Sequence, residues 1–251
     1  MLETNKIYSG NCLEVMKDID DKSIDMILCD LPYGTTACKW DTVISFEPLW
    51  EQYKRVIKDN GAIVLTASQP FSSALVMSNP KWFKYEWIWE KSKASGYLNS
   101  KLMPLVSHEN ILVFGKGKVK YNPQMVSGKP YNKGFGHRPT EVYGKQTATL
   151  VKNDTGNRFP RTVQYFVTAE REGKLHPTQK PIALFEYLVN TYTDENDIVL
   201  DNCAGSGTTG VACKNTNRNF ILIEQEEKYC EISRKRLEGL CNDQTGKSGS
   251  P

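Results

Sequence analysis

The stretch DIVLDNCAGSGTTGVAC, residues 197–213, joins an apolar run, a glycine-rich turn and a segment of small residues. The run at 197–201 predicts a buried strand, and 206–215 predicts a helix. Between them, Gly205 and Gly207 permit a tight turn and a close approach of the backbone to a ligand. A strand, such a turn and a helix form the unit of an α/β sheet, whose ligand lies at the carboxyl end of the strand.

The spacing of the glycines narrows the kind of ligand. Gly205, Gly207 and Gly210 match G-x-G-x-x-G, and Glu224 ends the next predicted strand about 20 residues on, where an acid binds ribose hydroxyls. A P-loop is excluded because no lysine follows in the G-K-[ST] arrangement. The pattern predicts an adenosine-type ligand. It leaves open a nicotinamide enzyme, an S-adenosylmethionine enzyme and a turn that binds nothing.

The rest of the chain alternates strand and helix patterns. This alternation predicts a doubly wound, mostly parallel α/β sheet with helices on both faces. The predicted strands are 26–30, 62–67, 84–91, 110–115, 197–201 and 220–224, and the predicted helices are 46–58, 71–78, 180–193, 206–215 and 226–237.

The composition excludes several classes of protein. The seven cysteines form no C-x-x-C pair, so we expect reduced thiols, no zinc site and no other metal. Residues 61–80 carry no charge, but Gln69, Asn79 and several hydroxyl residues make them too polar to span a membrane. No signal peptide is visible, and we expect a cytoplasmic protein.

Residues 115–145 have a different character. They hold six glycines, three prolines, seven Lys or Arg and one acid, Glu141, with four aromatic residues interleaved. The absence of a period predicts loop or adaptable structure. A solvated insertion and a nucleic-acid surface with stacking partners both fit this composition.

The stretch LCDLPYGTT, residues 28–36, ends a buried-strand pattern on the acid Asp30, followed by Pro32, Tyr33 and Gly34. A simple turn accounts for these residues as well as a site does. Taken in order, however, DLPY (30–33), HPTQKP (176–181) and LDNCAGSGTT (200–209) resemble the β group of amino-methylating DNA methyltransferases. SHENILVF (107–114) also resembles the strand that precedes the recognition region in that family. The resemblance runs from about Ile7 to Leu237.

Three positions depart from the family pattern. Leu31 stands where the family usually has proline, and Asn202-Cys203 where Pro-Phe is common. Asn11, in SGNCLE, stands where aspartate is frequent near the adenine of the cofactor. Leu31 is tolerable if this position acts through its carbonyl, and Pro32 still favours an extended backbone there.

The resemblance implies a methyl transfer to an exocyclic amine. The Asp30 carboxylate and the Leu31 carbonyl would accept the two N–H groups of the amine, and Tyr33 would stack on a base that has left the duplex. Aspartate at position 30 favours adenine N6, because the cytosine-N4 enzymes more often carry serine there. The implied catalytic residues are Asp30, Leu31, Pro32 and Tyr33.

The implied cofactor is S-adenosylmethionine. Lys180 would bind its methionine carboxylate, Glu224 its ribose, and Asn11 with Cys12 its adenine. The other implied cofactor residues are Asp30, Asp201, Asn202, Cys203, Ala204, Gly205, Ser206, Gly207 and Thr208. The expected phosphate contacts are Lys116, Lys118, Lys120, Lys129, Lys133 and Arg138.

These observations predict a site-specific adenine-N6 DNA methyltransferase. Residues 1–114 would form its catalytic half, 115–170 a target-recognition insertion, 171–241 its cofactor half and 242–251 a disordered tail. An N4-cytosine methyltransferase and a DNA-binding regulator with a vestigial cofactor fold are the alternatives. Double-stranded DNA is the expected partner, and a homodimer and a separate restriction endonuclease stay open.

Overall fold

The computed structural model describes residues 2–35, 38, 41–136, 141, 144, 148–172, 176 and 178–245. The chain divides into two compact units. The first unit comprises Met1–Asn122 and Thr162–Pro251, and the second comprises Pro123–Arg161. The second unit is therefore shorter than the predicted insertion, because 115–122 and 162–170 belong to the first.

The strands are β1 Lys6–Ser9, β2 Ile24–Asp30, β3 Ile57–Ala67, β4 Phe83–Ser95, β5 Val106–Phe114, β6 Tyr131–Gly136, β7 Thr149–Asn153, β8 Val163–Phe166, β9 Ile198–Asp201 and β10 Asn219–Glu224. The helices are α1 Cys12–Val15, α2 Phe46–Val56, α3 Phe71–Ser78, α4 Ile182–Tyr192, α5 Thr208–Asn215 and α6 Glu227–Thr245. Short 3₁₀ turns occupy Met16–Asp18, Tyr97–Asn99 and Ala169–Glu172.

Among the described residues, eight strands form one sheet in the order β1-β10-β9-β2-β3-β5-β4-β8. All neighbours from β1 to β3 are parallel, and so are β4 and β8. Only β5 runs antiparallel, to β3 and to β4. This mostly parallel sheet confirms the predicted fold class.

β2 lies at the centre of the sheet, between β9 and β3, so that the carboxyl ends of β2 and β9 are adjacent. The chain goes from β2 to one side of the sheet and from β9 to the other, which opens a crevice at this edge. Asp30 and Asp201, 171 positions apart in the sequence, end these two strands. We call this the carboxyl edge of the sheet, and the other the amino edge.

Alternation along β2 supplies both hydrophobic cores. Met26 and Leu28 face the core beneath α4, α5 and α6. Ile27 and Cys29 face the core beneath α2 and α3. All four are completely buried, and burial of a large apolar side chain contributes about 1.5–3 kcal/mol. The position of Asp30 is thus fixed by a strand that is packed on both faces.

Several boundaries differ from the predicted ones. Helix α2 ends at Val56 rather than residue 58, because Ile57 pairs with Ile24 and begins β3. Helix α6 continues to Thr245, so that residues 242–245 are helical rather than part of a disordered tail. Residues 246–251 of the predicted tail lie outside the described residues.

The second unit contains the antiparallel pair β6 and β7, where the sequence predicted loop. Phe135 pairs with Leu150, and both side chains are largely exposed. Gly134 and Gly136 occupy positions in β6, and Gly134 has a φ of +72°. Glycines and exposed apolar residues hide the alternation by which a strand is recognised in a sequence.

No helix in the described part of the chain is long and apolar enough to cross a membrane.

Candidate active site

A cavity of about 1050 Å³ opens at the carboxyl edge, within the first unit. Small-molecule sites usually enclose about 300–1,000 Å³, so this cavity has room for two ligands side by side. One end lies against the turn after β9, and the other against β4 and β5. Asp30–Tyr33 lie between the two ends. The predicted site residues that line the cavity are Asn11, Cys12, Asp30, Leu31, Pro32, Tyr33, Lys180, Asp201, Asn202, Cys203, Ala204, Gly205, Ser206, Thr208 and Glu224.

The glycine turn connects β9 to α5. Gly205 and Gly207 have φ values of +51° and +76°, which disfavour other residues. A Cβ atom on Gly207 would lie 2.8 Å from Ser233 Oγ, and one on Gly210 would lie 2.9 Å from a Leu222 methyl carbon. Gly207 and Gly210 therefore serve close packing against α6 and β10. Of the predicted cofactor residues, Gly207 is the one that does not line the cavity.

Glu224, at the end of β10, holds this turn in place. Its carboxylate accepts hydrogen bonds from the backbone N–H of Gly205, at 2.7 Å, and of Glu226, at 2.9 Å. Burial raises the pKa of Glu224. A carboxylate offers about four lone-pair positions, so it can also accept from a ligand hydroxyl.

Asp201 organises the same turn from below. Its carboxyl group accepts from Cys203 N at 3.1 Å and from Thr209 Oγ1 at 2.5 Å. The residue is 3% exposed, and burial raises its pKa to about 7. Asp201 thus shapes the turn, and near neutral pH a fraction of the molecules has this carboxyl group in its protonated form.

Asn11 and Cys12 line the cavity together with the glycine turn. Asn11 Oδ1 caps the short helix α1 by accepting from Leu13 N at 2.9 Å. A hydrogen bond from the Cys203 thiol lowers the pKa of Cys12 to about 7. Asn202 Oδ1 accepts from the buried Tyr53 hydroxyl at 2.6 Å, which ties the turn to α2.

Asp30 is held by three donors. Its Oδ1 accepts from the Tyr33 hydroxyl at 2.7 Å and from the Thr66 hydroxyl at the end of β3, and its Oδ2 accepts from Lys180 Nζ at 2.7 Å. The Leu31 side chain is 4% exposed and packs in the core. This burial leaves the backbone as the part of Leu31 that a ligand could use.

The loop after Tyr33 is fixed by Asp41. Its two carboxylate oxygens accept from Gly34 N and Thr35 N, each at 2.9 Å. The Tyr33 ring stacks on Phe71 with centroids 5.1 Å apart. Burial and the nearby Asp30 raise the pKa of Tyr33 well above its ordinary value, so that its hydroxyl stays a donor.

Four charged side chains, each at most 21% exposed, form a charge network: Asp30, Lys180, Glu109 and Lys91. Lys180 Nζ lies 2.7 Å from Asp30 Oδ2 and 3.4 Å from Glu109 Oε2, and Lys91 Nζ lies 2.6 Å from Glu109 Oε1. Burial opposes the charge of Lys180, but the two acids outweigh it and raise its pKa. The Lys180 ammonium is thus engaged by two protein carboxylates, and its contact with the methionine carboxylate of a cofactor stays a prediction.

Sequence reasoning missed Thr66, Asp41, Glu109 and Lys91. Thr66 could have been identified as the polar residue near the end of the apolar run at 62–67. Glu109 could have been identified from SHENILVF, the stretch that resembles a strand of the family. His176 packs edge-on against Tyr229, with centroids 4.3 Å apart, and burial lowers its pKa to about 4. It is neutral near pH 7.

The structure separates the predicted DNA-contacting lysines. Lys116 pairs with Asp59 at 3.2 Å, and Lys120 pairs with Asp197 at 2.7 Å, both at the amino edge. From Asp59 to Thr66, β3 spans about 23 Å at about 3.3 Å per residue. Lys116 and Lys120, with Lys118 between them, therefore lie at the opposite edge of the sheet from the cavity, and their role as DNA contacts stays a prediction.

The remaining predicted phosphate contacts belong to the second unit. Lys129 and Lys133 are exposed. Lys133 Nζ lies 5.3 Å from the centroid of the Tyr131 ring, and the Arg158 guanidinium lies 5.0 Å from it. Arg138 lies outside the described residues.

A family model, a curated relative and a solved structure all relate this chain to DNA methyltransferases. Residues 24–235 match the N6/N4 DNA methylase family model. The chain is 30% identical to the Type II methyltransferase M2.DpnII of Streptococcus pneumoniae, with 92% of this chain and 89% of that protein covered. The M1.HpyAVI–SAM complex is 28% identical with a TM-score of 0.63, and covers 92% of this chain and 99% of that one.

A third comparison concerns the fold alone. The cytosine-N4-specific PvuII DNA methyltransferase has a TM-score of 0.66 at 15% identity, and covers 94% of this chain and 87% of that one. The family match begins at β2, ends within α6 and includes most of the residues that line the cavity, although not Gly10–Leu13. The chain therefore belongs to the DNA methylase family of N6 and N4 methyltransferases.

Proposed function

We propose that this protein transfers a methyl group from S-adenosylmethionine to N6 of adenine in double-stranded DNA. As a member of its family, the chain is an S-adenosylmethionine-dependent DNA methyltransferase. The observation that carries the proposal is that the fixed Asp30 carboxylate and the glycine turn share one cavity with room for two ligands. A methyl donor and an acceptor base can therefore meet beside Asp30.

The residues at the cofactor end fit S-adenosylmethionine. The turn at Gly205 allows the backbone to approach a ligand, and Glu224 provides an acceptor for ribose hydroxyls. Asn11 and Cys12 would border the adenine. When bound, the cofactor supplies an electrophilic methyl group on a positively charged sulfur. The carboxylates of Asp30 and Glu224 suit that charge.

Asp30 and Leu31 act on the amine. An exocyclic amine is a weak nucleophile because its lone pair is delocalised into the ring. Accepting its two N–H groups with the Asp30 carboxylate and the Leu31 carbonyl favours a tetrahedral nitrogen, whose lone pair can attack. Tyr33, Thr66 and Lys180 hold the carboxylate in place by their hydrogen bonds, so that little reorganisation is needed during the transfer.

A base in a duplex cannot reach Asp30 unless it leaves the stack. The end of the cavity beside Trp89 and Lys91 would receive the extruded base. Tyr33, whose ring stacks on Phe71 and lies 5.7 Å from Lys180 Nζ, lines the cavity and would contact the base. We assign target recognition to the second unit, in which Lys129 and Lys133 are exposed.

The choice of adenine rests on Asp30 through the family resemblance. Cytosine N4 would present the same amine geometry to the same acceptors, which keeps an N4-cytosine methyltransferase as the second candidate. A regulator with a vestigial cofactor fold would bind DNA without transferring a methyl group. A homodimer and a separate restriction endonuclease remain predictions.

Asp30→Asn tests the proposal, with Asp25→Asn as the matched control on the same strand. Asp25 lies at the amino edge and pairs with Lys58. In single-turnover transfer of labelled methyl groups to plasmid DNA, Asp30→Asn should lose at least 100-fold in rate and the control less than threefold. Cofactor affinity, measured by calorimetry, should change little. An Asp30→Asn variant with more than a tenth of the wild-type rate would refute the role of Asp30.

A further inference from the structure

The hairpin between β4 and β5 carries a cluster of exposed apolar side chains. We call residues 96–105 the hairpin tip. Leu98 is 96% exposed, Leu102 is 82% exposed and Tyr97 is 81% exposed, with Met103 and Leu105 about half exposed. Isolated exposed apolar residues are ordinary, but a contiguous group of this size marks an interaction site.

The hairpin tip stands at the rim of the cavity. Ser95 and Val106 pair across the foot of the hairpin, and both line the cavity. Asn110 of β5 pairs with Ala67, the last residue of β3. Val106 precedes Asn110 by four residues, and because β5 is antiparallel to β3 it lies past the end of β3. The foot of the hairpin therefore stands about 13 Å beyond the carboxyl edge. The tip begins where a base would enter.

The tip is a formed structure that keeps its apolar groups outward. Ser100 N donates to Tyr97 O at 3.1 Å, Leu102 N to Asn99 O at 2.8 Å and Met103 N to Asn99 O at 3.0 Å. Gly96 begins the turn with a φ of +90°. These successive turns hold Leu98 and Leu102 in solvent instead of folding them onto the sheet.

The charge of the hairpin favours an anionic partner. Residues 91–106 contain three lysines and no acid. Lys91 and Lys93 are paired with Glu109 and Glu170, so the positive charge on the tip itself is that of Lys101, which is exposed. Proteins that kink or open DNA combine apolar wedges such as leucine and methionine with basic residues in this way.

We propose that the hairpin tip is a DNA wedge, in which Leu98 and Leu102 occupy the gap left in the base stack when the target base enters the cavity. This inference rests on the proposed function. The partner is duplex DNA, because the tip adjoins the base end of the cavity, lacks acids and presents leucine side chains of the kind that insert between base steps.

The test compares paired and mismatched targets. The methylated sequence is first read from plasmid DNA, and two synthetic duplexes are then made, with the target base either paired or mismatched. The wedge should matter most where the base is paired, because extrusion then costs most. The double variant Leu98→Ala/Leu102→Ala should transfer methyl groups about tenfold more slowly to the paired duplex and within twofold of wild type to the mismatched one.

Met77→Ala is the matched control. Met77 is 73% exposed and lies near the end of α3, which leads away from the cavity toward Trp82. The Trp82 carbonyl accepts a hydrogen bond from Gly115 N, which follows the last residue of β5 at the amino edge. It should match wild type on both duplexes. Leu98→Met/Leu102→Met, which keeps apolar volume at the tip, should recover most of the loss.

Three results would overturn the wedge. The first is an equal loss of transfer rate on both duplexes, and the second is no loss on either. The third is a dimeric wild type whose alanine variant is a monomer in light scattering, because the tip would then be a contact with a second copy. A wild-type protein inactive on all DNA would instead refute the proposed function. An active wild type with an unaffected alanine variant would refute the wedge alone.

Discussion

Replacing Lys180 with methionine separates two roles for this lysine. The family resemblance assigns it to the methionine carboxylate of the cofactor, whereas the charge network makes it the counter-ion of Asp30 and Glu109. Methionine keeps the length of the side chain and removes the charge. We expect Lys180 to be a positioning residue, so that the variant loses stability and transfer rate but keeps cofactor affinity.

The size of the effect follows from the two distances. At an effective dielectric constant of about 20, an ammonium 2.7 Å from one carboxylate and 3.4 Å from another is attracted by about 6 and about 5 kcal/mol. Burying the ammonium offsets several kcal/mol of this attraction. Removing one member of such a buried group costs about 3–5 kcal/mol. Lys180→Met should lower the free energy of unfolding by that amount.

The assay is urea unfolding of the cofactor-free protein, combined with calorimetry of S-adenosylmethionine binding. Lys17→Met is the control, because Lys17 pairs with Glu14 at 2.6 Å on an exposed surface and should cost less than about 1 kcal/mol. Adding Asp30→Asn to Lys180→Met removes the acid left without its cation, because Glu109 keeps Lys91 at 2.6 Å, and should recover at least about 1 kcal/mol of unfolding free energy. A Lys180→Met variant of wild-type stability whose cofactor affinity falls more than tenfold would refute the counter-ion role.

Two further predictions concern pH and salt. Burial raises the pKa of Asp201 from 3.8 to about 7, so the folded chain keeps a proton that the unfolded chain has already released. The stability that this group contributes is therefore lost as the pH rises from 3.8 to about 7. Relative to Asp201→Asn, the wild type should therefore lose about 2–3 kcal/mol of unfolding free energy between pH 5 and pH 8, and a pH-independent difference would contradict the burial argument. Neutralising Lys116, Lys118 and Lys120 together should leave the slope of log DNA affinity against log salt unchanged. Neutralising Lys129 and Lys133 should reduce the magnitude of that slope by about 2. The opposite result would show that DNA binds at the amino edge.

The sequence predicted those parts of the site that are local in the chain. A buried strand ending in Asp30 and another ending in Asp201 each carry their own pattern, and parallel strands bring such ends to one edge. The glycine turn was equally visible, because positive φ values demand glycine at Gly205 and Gly207.

The charge network could not be predicted from pattern. Lys180 is 150 positions from Asp30 and 71 from Glu109, and only the order of strands β2, β3 and β5 brings them together. The same limitation hid the ion pairs of Lys116 and Lys120. A run of lysines reads as a phosphate surface when the acids that pair with it, Asp59 and Asp197, are distant in the sequence.

The most direct test of the central claim identifies the methylated nucleoside. The protein is incubated with mixed-sequence duplex DNA and labelled S-adenosylmethionine, the DNA is digested to nucleosides, and the labelled product is identified by mass spectrometry, with Asp30→Asn in parallel. We predict label in N6-methyldeoxyadenosine with the wild type and little or none with the variant. Label in N4-methyldeoxycytidine would contradict the adenine assignment while keeping the role of Asp30, and label in no nucleoside would contradict the proposed methyl transfer itself.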